Sequence, residues 1–406
     1  ITMATAFLFA AYLAFLYFSH QTVPNSDFPA FVQTGKSLLA FELPASFKRL
    51  PGLGVLQVLL SYLMPDRHPV LTAGWVLNSL FYVGIGVLLY GIGQKILGSA
   101  GIWFALIGLI NPMMLRWLRH PIVETTLVFF ILLTVFLMFR PTRWAYVPAM
   151  LTSLMRYEGA ILILLCFCID IVISKNWKNR LAAFGRAGLA TVPLALWMLG
   201  LILSREGRGG VGGLPYLRNY DINREMVIGK FANIIWQNGV GSWFVLIGQE
   251  PMQVAARISK VLLAASIGLA VVFCLIKKQW RVMLLLGFFA IFFILHATRT
   301  YTLPRYGVPA VWVTVLVAWY GLKSLWDWLV TTQRIPPGVR VLLQVLAGAG
   351  AVIWVGVLLN YLPRLVSMSR DSVSVPYAAM AAVAVVLAGR LVLNRFTGRH
   401  VVSTAA

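Results

Sequence analysis

Apolar runs close to the length of a bilayer span recur from one end of this chain to the other, mostly with short polar connections. A hydrocarbon core of about 30 Å needs about 20 helical residues to cross it. Backbone polar groups at that depth must be satisfied within the segment, so a chain of such runs can fold only as a set of helices. Composition agrees: of 406 residues 60% are hydrophobic and 11% charged. The predicted fold class is all-α, a polytopic α-helical membrane protein in which 1–406 form a single integral membrane domain. About 12 transmembrane helices are expected. They fall at 1–19, 70–92, 101–118, 122–139, 144–155, 159–174, 187–204, 255–276, 282–297, 306–323, 341–361 and 376–394. The first run has no clear small-residue cleavage site after it and is read as a retained span.

Orientation follows from the basic residues. Arg140/Arg143, Lys175/Lys178/Arg180/Arg186, Lys277/Lys278/Arg281 and Arg334/Arg340 all fall on one side of this layout. Short cytoplasmic loops concentrate Lys and Arg, so that side is assigned to the cytoplasm. Only Asp170 and Asp327 share it, which leaves ten of the twelve carboxylates on the outer side, beginning with Asp27. Acids in or beside a bilayer are costly and by default functional. The net charge of +22 is scattered rather than gathered in a soluble domain. Membrane lipids are therefore the expected partners and nucleic acid is not.

The stretch 140–180 is basic at both flanks, too long for one span and too short for two full ones. A hairpin of two short helices resolves this, with Arg156-Tyr157-Glu158-Gly159 at its apex. About 12 residues at ~1.5 Å rise reach roughly 18 Å, so the apex belongs in the outer part of the bilayer. An Arg and a Glu at that depth need partners or a water-filled cavity.

Two outer loops are long. Residues 20–69 hold Asp27 and two amphipathic or apolar interfacial helices. In 28–41, Phe28, Phe31, Val32, Leu38 and Leu39 recur at helical spacing with Lys36 opposite. In 52–64 an apolar run too short to span lies between Pro51 and Pro65. Residues 205–242 are polar, Gly-rich and aromatic, and carry Tyr216, Arg218, Tyr220 and Asp221.

Candidate residues gather at the outer ends of spans. Asp27 precedes Phe28-Pro29, the pattern of a helix N-cap as much as of a reactive acid. Lys48 and Arg49 follow in the same loop. Arg119-His120-Pro121 precedes Glu124, an acid at a helix start where the dipole favours it. His296, Arg299, Tyr301, Arg305 and Tyr306 mark a late span end, as interfacial anchors or as a phosphate site. Gly207-Arg208-Gly209-Gly210-Val211-Gly212 fits a dinucleotide fingerprint in letters only, since it follows a membrane span rather than a strand. Cys166, Cys168 and Cys274 sit in apolar runs with no metal or disulfide spacing. No metal site and no cofactor are expected, although a carboxylate-bound divalent ion stays open.

At these residues the chain resembles the GT-C superfamily of polytopic glycosyltransferases, above all protein mannosyltransferases and bacterial aminoarabinose transferases. Four features carry the resemblance across roughly 1–330, which would be the catalytic core, with 331–406 as C-terminal spans. They are Asn25-Ser26-Asp27-Phe28 in the first outer loop, Leu50-Pro51-Gly52-Leu53 before a second span, Glu124 followed by Arg156-Tyr157-Glu158-Gly159, and Arg305-Tyr306 with Pro309 at a late span. The first loop lacks the paired acids of many relatives, and these 406 residues include no large soluble C-terminal domain such as some relatives carry.

The resemblance implies transfer of a sugar from a polyprenyl-phosphate donor to a glycan, lipid or protein acceptor at the outer face of a plasma or inner membrane. Such chemistry needs a carboxylate base and cations for the leaving phosphate. Asp27 is then the catalytic base for the acceptor hydroxyl, whose direct attack would invert the anomeric carbon. Arg156, Arg305 and Arg299 bind the phosphate, with Lys48 and Arg49 in support. Glu124, Glu158, His120, Tyr157, Tyr301 and Tyr306 orient the cations, the sugar or the acceptor, and Tyr216, Arg218, Tyr220 and Asp221 close over the donor. Two other readings compete: a transporter or lipid-linked-saccharide flippase, and a polymerase or ligase using a diphosphate-linked donor. The first would show internal repeats, and none is found in the sequence.

Overall fold

The computed structural model describes residues 2–18, 27–47, 49–109, 120–140, 143–203, 252–297 and 307–331, with a few isolated positions besides. Every regular element among them is a helix, as the hydropathy demands. In chain order these are α1 (Thr2–Phe18), α2 (Phe28–Leu39), α3 (Pro51–Ser61), α4 (Pro69–Leu97), α5 (Gly101–Leu109), α6 (Val123–Met138), α7 (Tyr146–Met155), α8 (Ala160–Ile173), α9 (Trp177–Leu203), α10 (Met252–Ile276), α11 (Trp280–Ala297) and α12 (Val308–Thr331). Two compact units divide the chain at Trp328/Leu329, and all that follows concerns the first. The expected spans 341–361 and 376–394 lie outside the described residues.

Four apolar stretches among the described residues are long enough to cross a membrane: Pro69–Leu109, Trp177–Leu203, Trp280–Ala297 and Val308–Thr331. Pro69–Leu109 is two helices joined by a 3-10 turn at Gly98–Ala100. Gly98 has φ +63°, a region that favours glycine. There the chain reverses, and α5 returns along α4. Gly93 and Gly101 bring their backbones into contact, and the Tyr82 hydroxyl donates to the Leu109 carbonyl. Within the expected span 101–118, Gly101–Leu109 is a nine-residue helix, and Met114, Trp117 and Leu118 are helical as well. The expected span 187–204 instead begins earlier, at Trp177, because Lys178, Asn179 and Arg180 contain no helix breaker and Lys and Arg form helix readily.

The hairpin read from 140–180 is present as α7 and α8, joined by a 3-10 turn at Tyr157–Gly159. Gly159 sits against the backbone of Thr152 and Ser153, so closely that any Cβ there would collide. At the opposite end of the hairpin, Arg186 of α9 donates two hydrogen bonds to Asp170, at 2.7 and 3.2 Å, and the Tyr146 hydroxyl donates a third at 3.1 Å. This ties α7, α8 and α9 together.

Both helices expected in the first loop are present, and the stripe that α2 buries against the protein coincides only in part with its apolar spacing. Phe28, Phe31, Thr34, Gly35 and Ser37 are buried, while Val32, Leu38 and Leu39 are only half-buried. The reason is a close crossing with α3, where Gly35 meets the backbone of Gly54 and Gly54 meets the Phe31 carbonyl. Small residues let helix backbones approach where lipid makes apolar burial cheap elsewhere. Gly54→Ala is expected to cost about 1–3 kcal/mol, as overpacking does. Thermal unfolding of the purified protein measures it; a variant as stable as the parent would mean that α2 does not rest on α3 in this way.

Candidate functional site

Asp27 occupies the N-cap position of α2, yet its carboxylate makes no capping hydrogen bond. It pairs instead with Arg49, whose Nη2 lies 2.5 Å from Asp27 Oδ1. Arg49 also lies over the Phe31 ring, 5.6 Å from its centroid. Both side chains are partly exposed, so the pair opens onto solvent or headgroup rather than into the core. The sequence assigned Asp27 to the chemistry and Arg49 to phosphate; the structure shows them as partners.

Just beyond Arg49 the chain enters α3 through Leu50-Pro51-Gly52. A Cβ on Gly52 would lie 2.9 Å from the Leu154 carbonyl oxygen and 3.0 Å from the Met155 side chain, so α3 starts on the end of α7. Arg156 follows immediately as the C-cap of α7, in extended conformation. Its Nη2 lies 3.2 Å from Glu158 Oε1, and these side chains are 11% and 4% exposed. That low exposure separates this pair from Asp27–Arg49: the apex charges are enclosed by protein.

A buried cluster of Phe47, Leu50, Leu194, Trp197 and Leu201 fixes the two pairs side by side. Leu50 adjoins Arg49, and Tyr157 and Ala160, on either side of the Glu158-Gly159 step, pack against the same cluster. The Trp197 indole N–H donates to the Phe47 carbonyl at 3.2 Å, which anchors α9 there too.

The third part of this end is the segment before α6. A Cβ on Gly74 of α4 would lie 2.7 Å from Pro121 Cβ, 3.1 Å from the Gln57 amide nitrogen and 3.5 Å from the Phe28 ring. Phe28 is the neighbour of Asp27, and Pro121 lies between His120 and Glu124. Glu124 is buried in the first turn of α6, and the His120 ring packs on Trp117 at 5.2 Å. The structure thus brings Asp27, Arg49, His120, Glu124, Arg156, Tyr157 and Glu158 to one end of the helix set. Lys48, Arg299, Tyr301, Arg305, Tyr306, Tyr216, Arg218, Tyr220 and Asp221 lie outside the described residues.

Two residues here escaped the sequence reading. Gln57 donates to the Pro121 carbonyl at 2.8 Å, and Asn78 donates to the carbonyls of Leu118 and His120 at 3.0 and 2.6 Å. Both are fully buried. An amide inside each of two apolar runs was the available signal, since buried polar groups in a membrane protein need a reason. Gln57→Leu strands the Pro121 carbonyl and is expected to cost about 1–3 kcal/mol. Denaturation in detergent reads this out, and no loss would show that the carbonyl finds another donor.

Outside the helices, Asp66 accepts from the Thr72 hydroxyl at 2.6 Å and from the Arg67 backbone N–H. The Thr72 bond first, and the Arg67 bond second, hold its carboxyl below the usual range. Among the described residues no group of three or more His, Cys, Asp and Glu is placed to hold a metal ion.

Neither a protein-family model nor a curated protein sequence matches this chain. A solved structure does. The chain is similar in fold to the crystal structure of ArnT from Cupriavidus metallidurans bound to undecaprenyl phosphate, with a TM-score of 0.55 and 14% identity over 96% of this chain and 72% of that one. At that identity the likeness is one of fold, and the fold is that of a polytopic helical membrane protein.

Proposed function

We propose that this protein is an inverting membrane glycosyltransferase of GT-C type. It moves a sugar from a polyprenyl-phosphate donor to an acceptor glycan, lipid or protein at the outer membrane face. The observation that carries the reading is the placement of two acid–arginine pairs, Asp27–Arg49 and Arg156–Glu158, beside residues that pack on one buried cluster at one end of the helix set. The likeness to an ArnT crystallised with undecaprenyl phosphate supports it, because a polyprenyl phosphate is what this reaction would release.

In the reaction an acceptor hydroxyl attacks the anomeric carbon. Asp27 takes the hydroxyl proton, the new C1–O bond forms, and the C1–O bond to phosphate breaks with its electron pair going to the phosphate. Charge grows on that phosphate in the transition state, where cations contribute most. Arg49 has a second role in this scheme. Its guanidinium holds Asp27 before the donor arrives and turns to the donor phosphate when it binds, which frees the carboxylate to act as base. Arg156, held by Glu158 at the apex, meets the same phosphate from the α7 side. Gln57 and Asn78 fix the 118–121 segment, which sets His120 and Glu124 beside the sugar.

Purified protein supplied with a polyprenyl-phosphate sugar and candidate acceptors tests this. Free polyprenyl phosphate and an adduct of inverted anomeric configuration are expected. Movement of the intact lipid-linked sugar across a vesicle membrane, without covalent change, would replace the reading with a flippase. Turnover only with diphosphate-linked donors would replace it with a polymerase or ligase.

A further inference from the structure

A second charged cluster lies at the other end of the same helices and takes no part in the proposed transfer. Lys95 is near the end of α4, Arg140 just past α6, and Arg281 in the first turn of α11. They converge because their helices do. Lys95 lies over the Phe136 ring of α6 at 5.4 Å, and Phe139 meets Trp280 edge-on at 6.4 Å. Arg140 and Arg281 are the next residues along from that aromatic contact. Lys95 is close enough to both arginines for their charge to act on it.

Three like charges from three helices repel one another, and among the described residues no carboxylate pairs with any of them. The two acids assigned to this side are engaged elsewhere, Asp170 by Arg186 and Tyr146 and Asp327 by Lys323. Arg281 adds a sharper sign: its Nε is buried and has no hydrogen-bond partner. The repulsion and the buried donor point the same way, to an anionic ligand.

Depth indicates which anion. Gly74, at the Asp27 end of α4, and Lys95 are separated by 21 residues of one helix. At ~1.5 Å rise that is about 30 Å, the thickness of a hydrocarbon core. Trp144 and Trp280 are exposed at the same level as the cations, as interfacial aromatics are. The cluster therefore stands at the height of lipid phosphates in the leaflet facing away from Asp27.

We propose that Lys95, Arg140 and Arg281 form a binding site for a phosphate-bearing ligand at the end of the helix set opposite Asp27. The guanidinium and ammonium groups would share its oxygens, and Trp144 and Trp280 would flank it. A site built from α4, α6 and α11 ties together helices that otherwise meet there through aromatic rings. The inference does not depend on the transferase reading.

Native mass spectrometry of the detergent-purified chain, titrated with phosphatidylglycerol and separately with phosphatidylcholine, tests it. Phosphatidylglycerol is expected to bind at least tenfold more tightly. Each of Lys95→Gln, Arg140→Gln and Arg281→Gln should weaken it about fivefold, the effect of one basic residue at a membrane surface. Lys95→Arg and Arg140→Lys should keep it, which guards against a loss caused by misfolding. Displacement by millimolar inorganic phosphate would identify free phosphate as the ligand, and resistance to it a lipid headgroup. Equal binding of the two lipids by the parent, with no phosphate binding, overturns the proposal. So does an equal loss in Lys178→Gln, which removes an exposed charge at the same end and outside the cluster.

Discussion

Asp27→Asn should lower kcat/KM for sugar transfer by about 10²–10⁴-fold, the contribution of a positioned general base. The amide keeps the size of the side chain and can still accept from Arg49, so the expected loss is in proton transfer rather than in folding. The structure sharpens this test by showing that Asp27 has a second possible job. Its 2.5 Å pair with Arg49 links the start of α2 to the chain two residues before α3. Were that link its whole purpose, Asp27→Asn would lower thermal stability and donor affinity together, with kcat nearly intact. The base role predicts the opposite split: kcat collapses, while affinity for polyprenyl phosphate changes by only a few-fold. Asp27→Glu should recover part of the rate, because the carboxylate returns slightly misplaced. Arg49→Lys should retain more activity than Arg49→Gln, since the charge matters to the leaving phosphate but its planar fork also matters to Asp27. Single-turnover kinetics beside a direct donor-binding measurement distinguish the two cases.

The helices were legible in the sequence because apolar length is a direct consequence of bilayer thickness. The α7–α8 hairpin was legible for the same reason. Arg140/Arg143 and Lys175/Lys178 mark both of its ends as one side of the membrane, so a turn had to lie between. Packing was much less legible. Phe28, Phe31, Val32, Leu38 and Leu39 of α2 read as the apolar face of an interfacial helix; of these only Phe28 and Phe31 are buried against the protein, beside Thr34, Gly35 and Ser37. In water an apolar residue gains by burial against protein; beside lipid it gains nothing over facing an acyl chain. Helix contact is then decided by close approach, and glycines make that possible.

The pairing of Asp27 with Arg49 was hidden for a different reason. The two are 22 positions apart, and only the crossing of α2 over α3 at Gly35 and Gly54 brings them together. The pairing of Arg156 with Glu158 needed no such information, because a two-residue spacing at a tight apex already places the two side chains together. Gln57 and Asn78 stood in the sequence as single amides in apolar runs. Nothing local showed that their partners would be the carbonyls of 118–121, contributed by a segment 40 or more positions away.

The apex pair sets up the other large effect. Removing one member of an enclosed ion pair strands the other, and such losses run to about 3–5 kcal/mol. Glu158→Gln removes the carboxylate 3.2 Å from the Arg156 guanidinium, whose side chain is only 11% exposed, and Arg156→Met removes the cation beside a Glu158 side chain that is 4% exposed. Both variants should unfold in detergent at distinctly lower denaturant concentration than the parent. The double variant Arg156→Met/Glu158→Leu removes both charges at similar volume and should recover most of that stability, since enclosed ion pairs commonly add little net free energy over an apolar replacement. Activity should not recover with it. If Arg156 serves the departing phosphate, the double variant folds like the parent and transfers sugar as poorly as Arg156→Met. If the pair exists only to satisfy its own charges, transfer should return along with stability. Because Gly52 rests on Leu154 and Tyr157 packs on the Phe47–Leu50 cluster, the double variant should also leave the Asp27–Arg49 pair in place. Donor binding measured alongside transfer would then assign any remaining defect to the phosphate contact rather than to a displaced base.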